Sequence, residues 1–368
     1  MTGSDFILLL INMDYLRVTD EALKKGAEIL KSGGLVAFPT ETVYGLGADA
    51  FNPKAIARIF EVKNRPFFDP LIIHIANIDA LEKTADLSRL SKKTHDNLFK
   101  LAEKLWPGPL SIILPKNDKI PGIATSGLPT AAIRLPDNEA ARKLIALSSG
   151  AVAAPSANPF GALSPTRAEH VKTGLGEKVD LILDGGPCKI GVESTVLDIT
   201  DDCIKILRPG GTPMEAIEEL IGAVEGYDNN EQIDSGRQGL ASPGLLKSHY
   251  APDTPLTVLS REEIIKLPKE PNCASTQVNT ENQKIAFLFF DGTAKDEWLS
   301  KQFGAQEPPD SFIVKVLSQS GDLLEAASRL FETLHEIDNF GVSQIFAQLA
   351  PRNGLGEAIN DRLKRAAS

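Results

Sequence analysis

Five short stretches concentrate side chains able to hold and orient a charged, polar ligand. The first, Phe38-Pro39-Thr40-Glu41-Thr42-Val43-Tyr44-Gly45-Leu46-Gly47-Ala48, puts two threonines, a glutamate and a tyrosine on one loop after a short apolar run. Such a set suits a ligand needing several oriented hydrogen bonds, although an ordinary polar loop has the same composition. Gly45-x-Gly47-x-x-Ala50 superficially matches a dinucleotide fingerprint, but the glycines lie well past the strand, where that fingerprint needs a tight turn at its end. The second stretch, Lys63-Asn64-Arg65-Pro66 and then Asp69-Pro70-Leu71-Ile72-Ile73-His74, sets a lysine and an arginine two apart at a helix end. There they can converge on one anion, the guanidinium offering a fork suited to phosphate oxygens. A basic helix C-terminus complementing the dipole gives the same pattern, and His74 on an apolar strand reads by itself as a structural histidine.

The third, Ala153-Ala154-Pro155-Ser156-Ala157-Asn158 followed by Ser164-Pro165-Thr166, runs a strand into hydroxyl and amide groups. That is a common way to hold a nucleotide, and equally a plain turn. Gly191-Val192-Glu193-Ser194-Thr195-Val196 and Leu207-Arg208-Pro209-Gly210-Gly211 complete the set. Arg134 closes the apolar run Ala131-Ala132-Ile133, where a guanidinium needs a carboxylate or phosphate partner. No GxxxxGK[ST] loop, HExxH pair or GxSxG elbow is present, which removes P-loop phosphate binding, a zinc-protease site and an acyl-hydrolase elbow. No protein-held metal is expected.

Elements must position these groups. The 368 residues predict two domains. Helical spacing of Ala22, Leu23, Ala27 and Leu30 predicts a helix over Asp20 to Lys31, with Asp20 as N-cap and Gly33-Gly34 as the stop. Pro53 opens a second helix through Val62. Strands are predicted at Leu35 to Phe38, Leu71 to Ile75, Leu110 to Leu114, Ala131 to Arg134, Val152 to Ala154, Leu181 to Leu183 and Ser194 to Ile199. The mixture predicts an α/β layer fold with a mixed sheet, its strand order open. Residues 223–254 read as a linker, polar over Gly226 to Gly239, between a domain at 1–222 and a second α/β domain at 255–368. In the latter, strands are predicted at Leu256 to Leu259, Ile285 to Phe290, Phe312 to Val316 and Ile345 to Leu349, with helices over Asp322 to Ile337 and Gly356 to Ala366.

A net charge of -10 argues against a broad nucleic-acid or membrane surface. Three cysteines without a CxxC pair fit a reducing cytosol, so a cytoplasmic location is expected. The apolar run Phe6 to Ile11 is preceded by Asp5 and is too short to span a bilayer, so it reads as a first strand or an ordered leader.

Taken in order, FPTETVYGLGA, KNRP with DPLIIHI, LWPGPLS, AAIRLP, APSAN with SPT, GVESTV and LRPGG resemble the YrdC/Sua5 family. SPGLLKSHYAP and the ending GLGEAINDRLKRA resemble its longer Sua5 type, so the likeness covers nearly the whole chain. The resemblance implies a YrdC-like twisted mixed-sheet domain, a linker and a smaller Rossmann-like domain. It also implies L-threonylcarbamoyladenylate synthase activity, in which a carbamate of L-threonine and bicarbonate attacks the α-phosphorus of ATP, with Mg2+ on the triphosphate. The product would serve the downstream machinery that transfers threonylcarbamoyl to tRNA adenosine. Thr42, His74, Arg134, Ala154 and Ser194 match threonine-binding positions, and Lys63, Arg65, Asp69, Thr130, Ser156, Ser164 and Arg208 match positions facing ATP. Lys63 and Arg65 are the catalytic candidates. Tyr250, in the linker, matches a position that closes over the nucleotide as a lid. Asp69 stands where the family commonly has asparagine, and Phe160-Gly161 replaces a commoner serine-glycine ending. The alternative from another class is a non-catalytic RNA-binding module, which the acidity disfavours; no tight tRNA binding is expected. A carbamoyl-adenylate maker of the hydrogenase-maturation type would carry further regions that this chain lacks.

Overall fold

The computed structural model describes residues 14–201, 203–227, 250–268, 284–304 and 306–368. The predicted strand at Phe6 to Ile11, most of the polar connecting segment and the Ser242-Pro243-Gly244 turn lie outside the described residues. The first sheet has ten strands: β1 (Asp14–Arg17), β2 (Val36–Phe38), β3 (Gly45–Asp49), β4 (Ile72–Ile75), β5 (Leu110–Pro115), β6 (Thr130–Arg134), β7 (Ala151–Ala153), β8 (Leu181–Asp184), β9 (Thr195–Asp198) and β10 (Lys205–Arg208). Their spatial order is β1-β8-β2-β3-β7-β4-β6-β5-β9-β10, with parallel and antiparallel pairs mixed. The second sheet is all parallel, in the order β11-β14-β12-β13, from β11 (Leu256–Leu259), β12 (Ile285–Asp291), β13 (Phe312–Ser318) and β14 (Gln344–Gln348). The fold is therefore mixed α/β, with a large mixed sheet followed by a small parallel one.

Local rules account for the framing helices. The helix Asp20–Lys31 buries Ala22, Leu23, Gly26, Ala27 and Leu30 on one face. Its N-cap is Thr19, not Asp20: Thr19 is extended and its hydroxyl accepts from the Ala22 amide at 3.1 Å. Asp20 is the first helical residue, complementing the dipole and pairing with Lys143 at 2.5 Å. The helix Pro53–Lys63 starts from Asn52, whose side chain accepts from Lys54 and Ala55, and stops at Asn64 in a left-handed conformation, φ 51°.

The glycine-bearing stretch after Thr42 is not a loop, as its composition suggested, but the central strand β3. Gly47 is required there by packing: a Cβ would lie 2.8 Å from both Phe38 Cε1 and Val152 Cγ1. The glycines thus serve close strand-to-side-chain packing, not a phosphate turn.

The two sheets share packing. Val43, Leu163, Val192 and Tyr250 join one apolar cluster with Leu330, Phe331 and Leu334 of the helix Leu323–Asn339. Around this seam Arg167 pairs with Glu332 at 2.6 Å, and the His170 and His335 rings stack with centroids 4.0 Å apart. His335 Nε2 donates to the Ser164 carbonyl at 3.3 Å. Three of the loops that carry the candidate residues are therefore held from behind by the second layer.

Candidate active site

The turn after β2, strands β4 and β6, the turn after β7 and the chain at the start of β9 and the end of β10 line one cleft. Its lining includes Thr40, Thr42, Arg65, His74, Arg134, Ala154, Ser156, Glu193, Ser194, Arg208 and Tyr250. Nine of the thirteen residues singled out from the sequence thus meet in one place, although they span positions 42 to 250.

Arg134 ends β6 beside His74 on β4, the two being register partners. Its guanidinium is buried and finds the carboxylate it requires: Nη2 pairs with Glu41 Oε1 at 2.6 Å, Nη1 donates to Thr42 Oγ1 at 3.0 Å, and Nε donates to the Gly108 carbonyl at 3.3 Å. Thr40 and Thr42 share a 2.8 Å hydroxyl contact, and Thr40 caps its own turn by donating to the Val43 carbonyl. Ser194 Oγ lies 2.8 Å from Ser111 Oγ on β5. The Ala154 amide donates to the Ile72 carbonyl at 3.0 Å, fixing the start of the Ala154–Ser156 turn. Burial, and then the Arg134 charge, pull the His74 imidazole down to a pKa of about 3, so it is neutral near pH 7.

Arg65 leaves the helix end through Asn64 and points at the cleft. It pairs with Asp69 at 2.9 Å and donates to the carbonyls of Asp69 at 3.1 Å and Pro70 at 2.8 Å. Asp69 is wholly buried and neutralises this arginine from behind. Arg208 donates from Nη2 to the Ser194 carbonyl at 2.9 Å. Burial lowers the pKa of both arginines from the usual guanidinium value.

Lys63 is not among the residues that line the cleft: its Nζ donates to the carbonyls of Ser156, at 2.6 Å, and Asn158. It is 1% exposed and shapes the Ser156–Asn158 loop from beneath. Burial, reinforced by Arg65, pushes its pKa well below the usual ammonium value. Ser164 and Thr130 also stand off the cleft. Ser164 donates to Glu193, and Thr130 lines a separate, small hollow with Pro70, Leu71 and Thr125.

Tyr250 is 1% exposed and adopts φ 64°, uncommon for an aromatic residue. Next to it, the Ala251 amide donates to the Gly161 carbonyl at 2.8 Å, so Phe160-Gly161 receives the chain that carries the tyrosine. Sequence reasoning passed over Glu41, Glu193 and Arg362 as site residues. Glu193 pairs with Arg362 of the last helix at 2.6 Å, and Arg362 stacks over the Tyr250 ring at 4.9 Å. The available signal was the run of polar residues Asn360-Asp361-Arg362 among the apolar positions Ala358, Ile359 and Leu363 of the last helix. Among the described residues, no group of three or more His, Cys, Asp or Glu is arranged to hold a metal, and no helix is long and apolar enough to cross a membrane.

This geometry has close relatives. A family model described as telomere recombination, built on Sua5, YciO and YrdC proteins, matches residues 28–210. One described as the threonylcarbamoyl-AMP synthase C-terminal domain matches residues 212–368. Threonylcarbamoyl-AMP synthases of Pyrococcus abyssi and Bacillus subtilis are each 38% identical, the alignments covering 95% and 96% of this chain and 95% of each relative. The crystal structure of P. abyssi Sua5 complexed with L-threonine matches with a TM-score of 0.81 and 36% identity, over 97% of both chains. Matched along both sheets and by full-length relatives, the chain belongs to the Sua5/YciO/YrdC family, in the longer form that carries the C-terminal domain.

Proposed function

We propose that this protein is an ATP-dependent nucleotidyltransferase that joins L-threonine, bicarbonate and ATP into threonylcarbamoyl-AMP, the first step of threonylcarbamoyl modification of tRNA adenosine. One observation carries the reading. Three buried guanidinium groups, Arg65, Arg134 and Arg208, reach a single cleft whose other polar side chains are hydroxyls, a neutral imidazole and the Glu193 carboxylate. Such a cleft suits a small carboxylate beside a polyphosphate.

In this reading Arg134, Thr42, His74 and Ser194 hold the threonine carboxylate and hydroxyl, and the Ala154 backbone orients the amine. The neutral amine takes up CO2 from bicarbonate, giving a carbamate and water. A carbamate oxygen then attacks the α-phosphorus of ATP; the new P–O bond forms as the bond to pyrophosphate breaks. Arg65 and Arg208 stabilise charge on the phosphates, and Tyr250 covers the nucleotide. Mg2+ carried by the triphosphate would offset part of its charge, beside Arg65 and Arg208. Lys63 serves by holding the Ser156–Asn158 turn. Positioning and charge stabilisation supply the rate, since the step needs little covalent help from side chains. The product passes to the machinery that modifies tRNA, and the enzyme works in the cytoplasm.

The test is pyrophosphate release from ATP by the purified protein with bicarbonate and Mg2+, with and without L-threonine. Threonine-dependent pyrophosphate with an AMP-linked product, unmatched by glycine or valine, is the expected result. Pyrophosphate independent of threonine would assign another acceptor. No turnover, together with tight and salt-sensitive tRNA binding, would favour an RNA-binding module instead.

A further inference from the structure

Arg362 sits on the last helix, Gly356–Ala366, outside the cleft, yet only 1% of it is exposed. Its guanidinium faces the back of the site in several directions. Nε pairs with Glu193 Oε2 at 2.6 Å, Nη2 donates to the Pro209 carbonyl at 3.0 Å, and Nη1 pairs with Asp361. The same plane lies over the Tyr250 ring, 4.9 Å from its centroid. The second Glu193 oxygen accepts from Ser164 Oγ. Glu193, Tyr250 and Arg208 line the cleft, and Pro209, held by Arg362, directly follows Arg208.

Glu193 is therefore a buried carboxylate within electrostatic reach of two guanidinium groups, Arg362 behind the cleft and Arg208 on its wall. A buried carboxylate deprived of one partner turns to the next cation available, because its desolvation is otherwise uncompensated. Were that cation Arg208, a wall arginine would face inward to a protein carboxylate, and the carboxylate would also repel an incoming triphosphate.

We propose that Arg362 is a positioning residue for the nucleotide end of the cleft: it holds Glu193 turned away from Arg208, so that Glu193 does not compete with ATP phosphates for that arginine, and it seats Tyr250 with the same guanidinium. This gives the second domain a direct part in substrate binding. The inference rests on the reading of the cleft as an ATP site.

Three variants test it: Arg362→Gln, Glu193→Gln and the double variant E193Q/R362Q. Each is measured in the full chain by calorimetric binding of a non-hydrolysable ATP analogue with Mg2+, by separate KM values for ATP and threonine, and by melting temperature. Arg362→Gln should weaken the analogue about tenfold or more, the equivalent of one lost charge-assisted hydrogen bond, with the threonine KM little changed. The double variant should recover most of that loss, because the carboxylate that turns on Arg208 is gone. Glu193→Gln alone should bind the analogue more tightly than the native protein, and it keeps the test open should Arg362→Gln fail to fold. A double variant as weak as R362Q overturns the proposal, since loss of packing alone would then explain the effect. Weaker binding by Glu193→Gln overturns it as well. Because binding is read without turnover, a native protein that binds the analogue but makes no threonine-dependent pyrophosphate sinks the synthase reading and leaves the positioning role standing. Failure of the native protein to bind the analogue overturns both.

Discussion

Replacing Arg134 by lysine isolates what the guanidinium fork contributes beyond its charge. In the native protein the fork spans Glu41 at 2.6 Å, Thr42 at 3.0 Å and the Gly108 carbonyl at 3.3 Å. A lysine supplies one compact ammonium, which can hold Glu41 or reach Thr42 but cannot serve three directions. Losing the Glu41 pair outright would cost about 3–5 kcal/mol, as for other buried pairs broken on one side. With the charge retained, the smaller figure applies: one charge-assisted hydrogen bond, about 1.5–3 kcal/mol. If that loss falls on threonine, kcat/KM for threonine drops roughly 10- to 150-fold. The assay is the initial rate of pyrophosphate release, varying threonine at saturating ATP and then ATP at saturating threonine. The ATP KM should move by less than about threefold, because Arg65 and Arg208 stay in place. A threonine kcat/KM within about twofold of the native value refutes the reasoning. An equal loss on both substrates refutes it too, by reporting a collapsed cleft and not a missing fork.

Tyr250→Ala removes a ring packed 5.7 Å from Phe331 and beneath Arg362; the ATP KM should rise, or pyrophosphate should appear without product, and unchanged values for both would end the idea of a lid. Gly210→Ala places a Cβ 2.3 Å from the Ser194 carbonyl carbon and the Thr195 nitrogen, backbone atoms that cannot rotate away, so stability should fall by about 1–3 kcal/mol or more and activity with it. Native urea midpoints and normal turnover for that variant would show that the strand end yields more easily than its geometry allows. Acid should destabilise the protein through its buried histidines. His74 and His170 hold folded pKa values of about 3, burial being the main cause in both, whereas unfolded imidazoles titrate near about 6.5. Their contribution is complete above about pH 6.5 and is lost as pH falls towards 3, at up to about 1.4 kcal/mol per pH unit for each, less for the partly exposed His170. The urea midpoint should therefore be lower at pH 4.5 than at pH 7.5, and a midpoint that rises on acidification contradicts the burial account.

Much of the fold is legible in the residue pattern. The helices Asp20–Lys31 and Gly356–Ala366 and the strand Leu256–Leu259 run where the residue pattern puts them; the first buries one face and starts at the Thr19 cap. β3 is not legible in this way. Gly45-Leu46-Gly47 has the composition of a loop, and only the neighbours Phe38 and Val152, brought close by strand pairing, explain why a bare backbone is needed there. The candidate residues were visible as types but not as orientations. Lys63 and Arg65 look equivalent in sequence, yet two carbonyls hold Lys63 beneath the Ser156–Asn158 loop while Arg65 lines the cleft.

The sequence by itself determined the alternation of apolar strands and helices in the stretches named above, the net negative charge and the motifs that mark the family, since these depend on local periodicity and residue chemistry. Tertiary structure alone decided the strand order, the pairing of Arg134 with Glu41 and of Arg65 with Asp69, and the reach of Arg362 from the last helix to Glu193 and Tyr250. The physical reason is desolvation. A buried charge must find its partner wherever the chain returns, and no local rule records that Glu193 and Arg362, 169 residues apart, will meet in the same low-dielectric wall.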